Sequence, residues 1–145
     1  VEELDSIFRR MTVIAYEDIG LANPSIGPKV DAAINAATRL GLPEARIPLG
    51  QVVIELALSP KSNSAHVALD TAIQDIERGN TGLVPDHLKT NSKEYLYPHQ
   101  YKNAIVKQQY LPDELKNRVY YKAKETSKNE KMLKEINEKI KQILG

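Results

Sequence analysis

"PEARIPLGQVVIELALSP", residues 43–60, is the most apolar stretch of the chain, and the spacing of its apolar residues decides the fold. Ile47, Leu49, Val52, Val53, Leu56 and Ala57 fall on more than one face of a helix rather than along a single stripe. A helix that is apolar all round belongs inside a bundle. The stretch therefore predicts a central helix, with Pro48 in its first turn or at a kink.

Working outward, Leu4, Ile7, Phe8, Met11, Ile14 and Ala15 recur at the helical period and mark a first helix, ended by Gly20 and Asn23-Pro24. A second helix starts near Pro28, whose missing N–H costs nothing in a first turn. Its face is Val30, Ile34, Ala37 and Leu40, and Gly41 with Pro43 stops it. Beyond Pro60, Ala65, Ala68, Leu69, Ala72, Ile73 and Ile76 repeat the period until Gly79. Residues 1–79 thus read as a four-helix core with short connections, which favour antiparallel or steeply crossed neighbours. No period-2 pattern argues for a strand. The fold class expected is all-α, a compact helical bundle.

Residues 80–126 lose this periodicity, and Pro85, Pro98 and Pro112 punctuate an irregular, Tyr- and Pro-containing segment with one-turn helices at "PDHL" and "PDEL". Residues 127–145 form a last helix. There Ser127 and Glu130 match the S-x-x-E capping box, in which hydroxyl and carboxylate satisfy free N–H groups reciprocally. Leu133, Ile136, Ile140 and Ile143 then make a narrow seam, expected to dock on the bundle because so short a coiled coil is weak alone.

The 145 residues suit one domain with a real core. No stretch is long and apolar enough to span a membrane, and "VEELDSIFRR" lacks a secretory pattern, so the chain reads as soluble and cytoplasmic. With no cysteine, disulfides, thiolate metal sites and cysteine nucleophiles are excluded. The net charge of +1 hides an asymmetry: residues 1–80 carry 7 Lys/Arg against 11 Asp/Glu, net −4, and residues 81–145 carry 13 against 8, net +5. Six of the seven tyrosines also lie in the basic half, a pairing of cations and rings that suits nucleic acid. A solvated Lys/Glu face with Tyr filling irregular loops is the weightier reading.

"YEDIGLANP", residues 16–24, is the nearest approach to a catalytic constellation. Adjacent helical residues point about 100° apart, so Glu17 and Asp18 do not share a proton as an acid dyad would. Carboxylates at a helix C-terminus oppose its dipole and need partners. The expectation is a structural polar network of Glu17, Asp18, Arg46, Lys61, Ser62 and Asn63, in which a carboxylate staples the first helix near Arg46 or Lys61. Lys61-Ser62 lacks the glycines of a phosphate loop, and Ser62 or Asn63 is expected to be an ordinary N-cap. No metal site is expected, since His66, His87 and His99 lack ligand spacing. His99 in "YPH" has no evident nucleophile or orienting group, so packing or an interface is its expected role.

Several of these segments carry a family resemblance. "EDIGLANP", "GLPEARIPLGQVVIELALSPKSNSA", "YPHQY" and "QQYLPDEL" followed by "YY" resemble the C-terminal domain of the replication-associated recombination protein A family (RarA, also called MgsA) of AAA+ ATPases, from about Leu4 to Glu130. The resemblance implies an all-helical domain related to the oligomerisation collars of clamp loaders, one that assembles the enzyme as a homotetramer. It implies a full-length protein that is a DNA-stimulated ATPase at stalled forks and gaps, with replication proteins as further partners and a nucleoid-associated location in a bacterium. Tyr97, Pro98, His99, Gln109, Tyr110, Leu111 and Pro112 then become family-motif packing or interface residues.

The chain has no P-loop, no Walker B strand and no arginine-finger context. It therefore resembles the collar without the AAA+ core, where ATP and Mg are expected; no catalytic residue and no cofactor are expected here. "HLKTNSKEYLYPH" is also shorter than the Gly- and Lys-rich family stretch, as if a loop were missing near Lys89 to Tyr95. The leading expectation is an oligomerisation domain that partners itself and has no membrane role. One rival is a nucleic-acid-binding module over residues 93–124, with Lys102, Lys107, Lys122 and Tyr110 as contacts. The other is a small hydrolase, which requires Glu17, Asp18 and His99 to converge.

Overall fold

The computed structural model describes residues 3–144; Val1, Glu2 and Gly145, assigned by the sequence to the first and last helical units, lie outside them. Among the described residues every regular element is helical: α1 (Leu4–Val13), α2 (Ile26–Leu40), α3 (Arg46–Leu58), α4 (Ser64–Glu77) and α5 (Lys128–Leu144). Among the described residues no helix is long and apolar enough to cross a membrane.

The core joins α1, α2 and α3. Met11, Ala15 and Ile19 from the first segment meet Ile26, Val30 and Ala33 of α2 and Val52 and Leu56 of α3. Pro28 and Pro48 both fall in first turns, where a missing N–H removes no helical bond. Between α4 and α5 the chain makes isolated 3-10 turns, including Asp86–Leu88 and Asp113–Leu115 at the two Pro-Asp motifs.

α3 departs from the sequence reading. Only Val52 and Leu56 are buried, while Ile47, Ile54 and Leu58 are 62%, 61% and 79% exposed. It is a surface helix with a second apolar face turned outward, because α2 and the turn after α1 cover one side only. α4 departs further: its buried residues are Ser64 and Asp75, and Leu69, Ile73 and Ile76 of the expected core stripe face solvent. α5 departs too. Its seam residues Ile136 and Ile143 are about half exposed, since the helix meets the body of the fold chiefly through its first turn.

The first helix does not stop before Glu17. It widens into a π-helical turn, Ile14–Ile19, closed by the Gly20 N–H donating to the Ala15 carbonyl. Gly20 then sits at φ 47°, and a Cβ there would lie 2.9 Å from the Ser62 carbonyl oxygen. The two strands of chain approach this closely because the Ser62 N–H donates to the Asp18 carbonyl at 2.8 Å. Gly20→Ala should therefore lower stability by about 1–3 kcal/mol, from left-handed strain and the clash. Gly50→Ala, in α3 with open space at its Cβ, should gain about 0.5–1 kcal/mol. Urea unfolding of both variants checks this; equal midpoints would remove the close-approach account of Gly20.

Candidate functional site

Of the residues expected to form a carboxylate staple, Asp18, Lys61, Ser62 and Asn63 line one cleft, and main chain makes the joint. Glu17 and Asp18 are exposed, and among the described residues neither side chain has a hydrogen-bond partner. Water satisfies them, which removes the conflict with the helix dipole. Arg46 Nη1 donates to the Pro43 carbonyl at 2.9 Å, steadying the start of its own helix. Lys61 Nζ donates to the carbonyls of Leu56, at 3.2 Å, and Ser59, capping the C-terminus of α3 as a cation does best. Asn63 occupies the N-cap position of α4 without a side-chain cap bond.

The buried polar centre lies at the same helix start but uses a carboxylate from far along the chain. Ser62 Oγ donates to Ser64 Oγ at 3.0 Å, and Ser64 Oγ donates in turn to Glu130 Oε2. Tyr121 OH donates to the same oxygen at 2.9 Å. Glu130 is fully buried, and its Oε1 has no partner among the described residues. Its pKa is set by opposed causes: burial raises it, while the Ser62, Ser64 and Tyr121 hydroxyls and the Lys124 main-chain N–H lower it and prevail. The Tyr121 phenol is pushed up to about 12, by burial first and then by the bond to Glu130, so it remains a donor. Only half of the expected capping box forms. The Glu130 N–H donates to Ser127 Oγ at 3.2 Å, but the carboxylate turns inward to the hydroxyls instead of back to the cap.

This arrangement bears on anion binding. The helix start that Lys61-Ser62 opens is filled by Glu130, so it does not fit a nucleotide phosphate. Beside it, Asp18, Lys61, Ser62, Asn63 and Lys124 with Ile14 line a cleft of about 440 Å³ that includes neither Glu17 nor His99. The convergence that a hydrolase needs is absent from that cleft, and among the described residues no three His, Asp or Glu groups meet as metal ligands.

The irregular segment is tied to α4 near its C-terminal end. Tyr120 OH donates to the buried Asp75 at 2.7 Å, and Arg118 pairs with the same carboxylate at 3.3 Å. Its middle is held by side chains: His87 Nε2 donates to the Gln109 carbonyl at 2.6 Å, and Gln109 Nε2 reaches the Leu111 carbonyl and Asp113 Oδ1, both at 2.8 Å. Gln108 bonds both main-chain groups of Leu96 and the Tyr110 hydroxyl. Within the family-motif set, the rings of Tyr97 and His99 meet at a tilt of 54° with centroids 5.1 Å apart, across the turn Pro98–Gln100. Leu111 and Pro112 are half-buried. Tyr95, Tyr97, Tyr101 and Tyr110 stay exposed, as do Lys102 and Lys107. Lys122 lines a separate cleft of about 250 Å³ with Tyr120, Lys124 and Asn63.

Sequence reasoning missed Ser64 and Asp75, and gave Glu130 only a local role. The adjacent tyrosines after "QQYLPDEL" were the available signal, because a buried tyrosine needs a partner for its hydroxyl. A pH test follows. A folded-state pKa held below the ordinary carboxylate value of 4.5 gives stability that is complete above that pH. It is lost as pH falls through the lower folded value. Glu130→Ala should cost about 1–3 kcal/mol at pH 7 by leaving hydroxyls unpaired. Glu130→Gln should cost less and flatten the acid limb of urea stability below pH 4.5; an unchanged limb would assign it to other groups.

Comparison with known proteins places this architecture. The profile described as MgsA AAA+ ATPase C terminal matches residues 1–141. Replication-associated recombination protein A of Bacillus subtilis is 55% identical over 148 residues, covering 95% of this chain and 35% of that protein. The alignment is longer than the chain's 145 residues, so that relative carries residues this chain lacks. The Escherichia coli protein of the same name is 32% identical over 126 residues, covering 79% of this chain and 28% of its own length. ATPase WRNIP1 of Dictyostelium discoideum is 33% identical over 131 residues, 83% of this chain and 15% of that protein. The chain thus spans about a third or less of these relatives. It belongs to the replication-associated recombination protein A (MgsA) family of AAA+ ATPases and corresponds to its C-terminal domain.

Proposed function

We propose that this chain is the oligomerisation domain, with a tetramer favoured, of a DNA-dependent AAA+ ATPase that acts in replication-fork maintenance and in recombination and repair. One domain covers the whole chain, and it contributes no catalytic residue. ATP and Mg belong to an AAA+ core outside it, and the protein works in the cytoplasm, on the nucleoid in a bacterium. The observation that carries this reading is the outward apolar surface of α3 and α4, where Ile47, Ile54, Leu58, Leu69 and Ile76 are all more than half exposed. Single exposed apolar residues are ordinary, but two successive helices that each turn their larger apolar side chains outward mark surfaces for interaction. Burying such faces between copies fixes how many ATPase cores are held together and at what spacing.

A second reading rests on a different observation. Residues 89–110 hold four lysines and a single acid, Glu94, among four exposed tyrosines. That combination of stacking rings and cations suits single-stranded nucleic acid, and it is compatible with assembly because it uses another surface.

Light scattering over a concentration series tests the first reading. Assembly should appear in the wild-type chain and be lost in Ile54→Lys/Leu58→Lys, with helix content unchanged by circular dichroism. A wild-type monomer at every concentration would assign the face to other parts of the parent protein. For the second reading, binding to a single-stranded oligonucleotide should weaken with salt at a slope of about −0.7 per phosphate neutralised. It should also fall on changing Lys102, Lys107 or Tyr110 to Ala; no binding at low salt rejects it.

A further inference from the structure

We infer that the partner of the α4 stripe is the α5 seam of a second copy of this chain. The inference rests on the oligomerisation reading and names the two surfaces that meet. α4 turns its polar residues Ser64 and Asp75 inward and leaves Ala65, Leu69, Ile73 and Ile76 on its outer side. At about 100° per residue, this stripe is centred roughly 125° around the helix from the direction shared by Ser64 and Asp75.

The subunit's own α5 is anchored on the inward side. Glu130 is held by Ser64, and Asn129 Nδ2 donates to the Leu21 carbonyl at 2.9 Å. A helix fixed at that point does not cover the opposite side of α4 in the same subunit. Of its seam, Leu133 and Ile140 are half-buried, and Ile136 and Ile143 are left about half exposed.

Shape and charge match these surfaces to each other. The outer side of α4 offers Ala65, Leu69, Ile73 and Ile76 at spacings of four, four and three. The α5 seam runs three, four and three. A row spaced by four on one helix and a seam alternating three and four on the other pack at a shallow crossing angle. At 14 and 17 residues the helices are of similar length. α4 exposes Asp70 and Glu77 and carries no Lys or Arg, its third acid, Asp75, being buried against Arg118, whereas α5 carries five lysines against three glutamates, one of them the buried Glu130. Two copies of α4 would repel, and two copies of α5 would repel. An α4–α5 pair attracts, either reciprocally in a dimer or head to tail in a ring.

The chain has no cysteine, so introduced thiols report without background. Ile73→Cys and Ile136→Cys variants of the whole chain would be treated with a short bis-maleimide, singly and as an equimolar mixture. The mixture should yield several-fold more cross-linked dimer than either variant alone, and Lys139→Glu/Lys141→Glu should move assembly to higher protein concentration, less so at high salt. Cross-linking within either single variant at the level of the mixture would show like helices pairing and overturn the inference. Assembly by light scattering with no cross-link in the mixture would overturn it while leaving the oligomerisation reading intact; a wild-type monomer would end both.

Discussion

The carboxylate of Glu130 sits buried against the start of α4, and the arrangement of the second half of the molecule follows from where it must be. A buried carboxylate is costly unless donors surround it. Here the donors are Ser64 and Tyr121 directly, with Ser62 behind Ser64. Those groups fix three things together: the rotation of α4 that points Ser64 inward, the path of the chain through Tyr121, and the origin of α5. The free N–H groups of a helix start add a favourable field for the same negative charge.

The other end of α4 repeats the device with different groups. Asp75 faces inward and is met by Tyr120 and Arg118, the cation offsetting a carboxylate near a helix C-terminus. Neighbouring residues Tyr120 and Tyr121 thus reach opposite ends of α4, whose anchor residues Ser64 and Asp75 are eleven positions apart, about 16 Å along the axis. The segment between the helices acts as a strap laid along α4. A helix held by polar anchors on its inner side has its apolar side left over for something else, and in this chain that side carries Leu69, Ile73 and Ile76.

The sequence made the helices legible and left their rotation hidden. Period and punctuation placed α1 to α4 closely, because Pro28 and Pro48 work only in first turns and Gly41 and Gly79 stop helices. Periodicity tells which residues share a face, but not whether that face looks inward. For α4 the usual assumption of apolar inside fails, since Ser64 and Asp75 find partners 66 and 45 residues away, in Glu130 and Tyr120. Contacts at such separation leave no local pattern. The same limit explains "YEDIG": its acids drew attention, whereas the contact that matters is between main-chain groups of Asp18 and Ser62, with Gly20 making room. Glu130 was visible as a capping residue because that role is local, and its larger role was not.

The size of the core links these points to assembly. Among the described residues, five of the 13 buried apolar side chains are alanines, and only Met11, Ile19, Ile26, Leu56 and Leu115 exceed valine in bulk. Burial contributes free energy roughly in proportion to apolar area removed from water, about 25 cal/mol per Å², so a core of small side chains leaves the isolated chain modest in stability. The larger aliphatic residues of α3 and α4 lie outside, where they stabilise nothing until another surface covers them. Binding that favours the folded state adds to its stability by mass action. Any partner that covers those residues therefore adds to the stability of the fold as well as to its own binding.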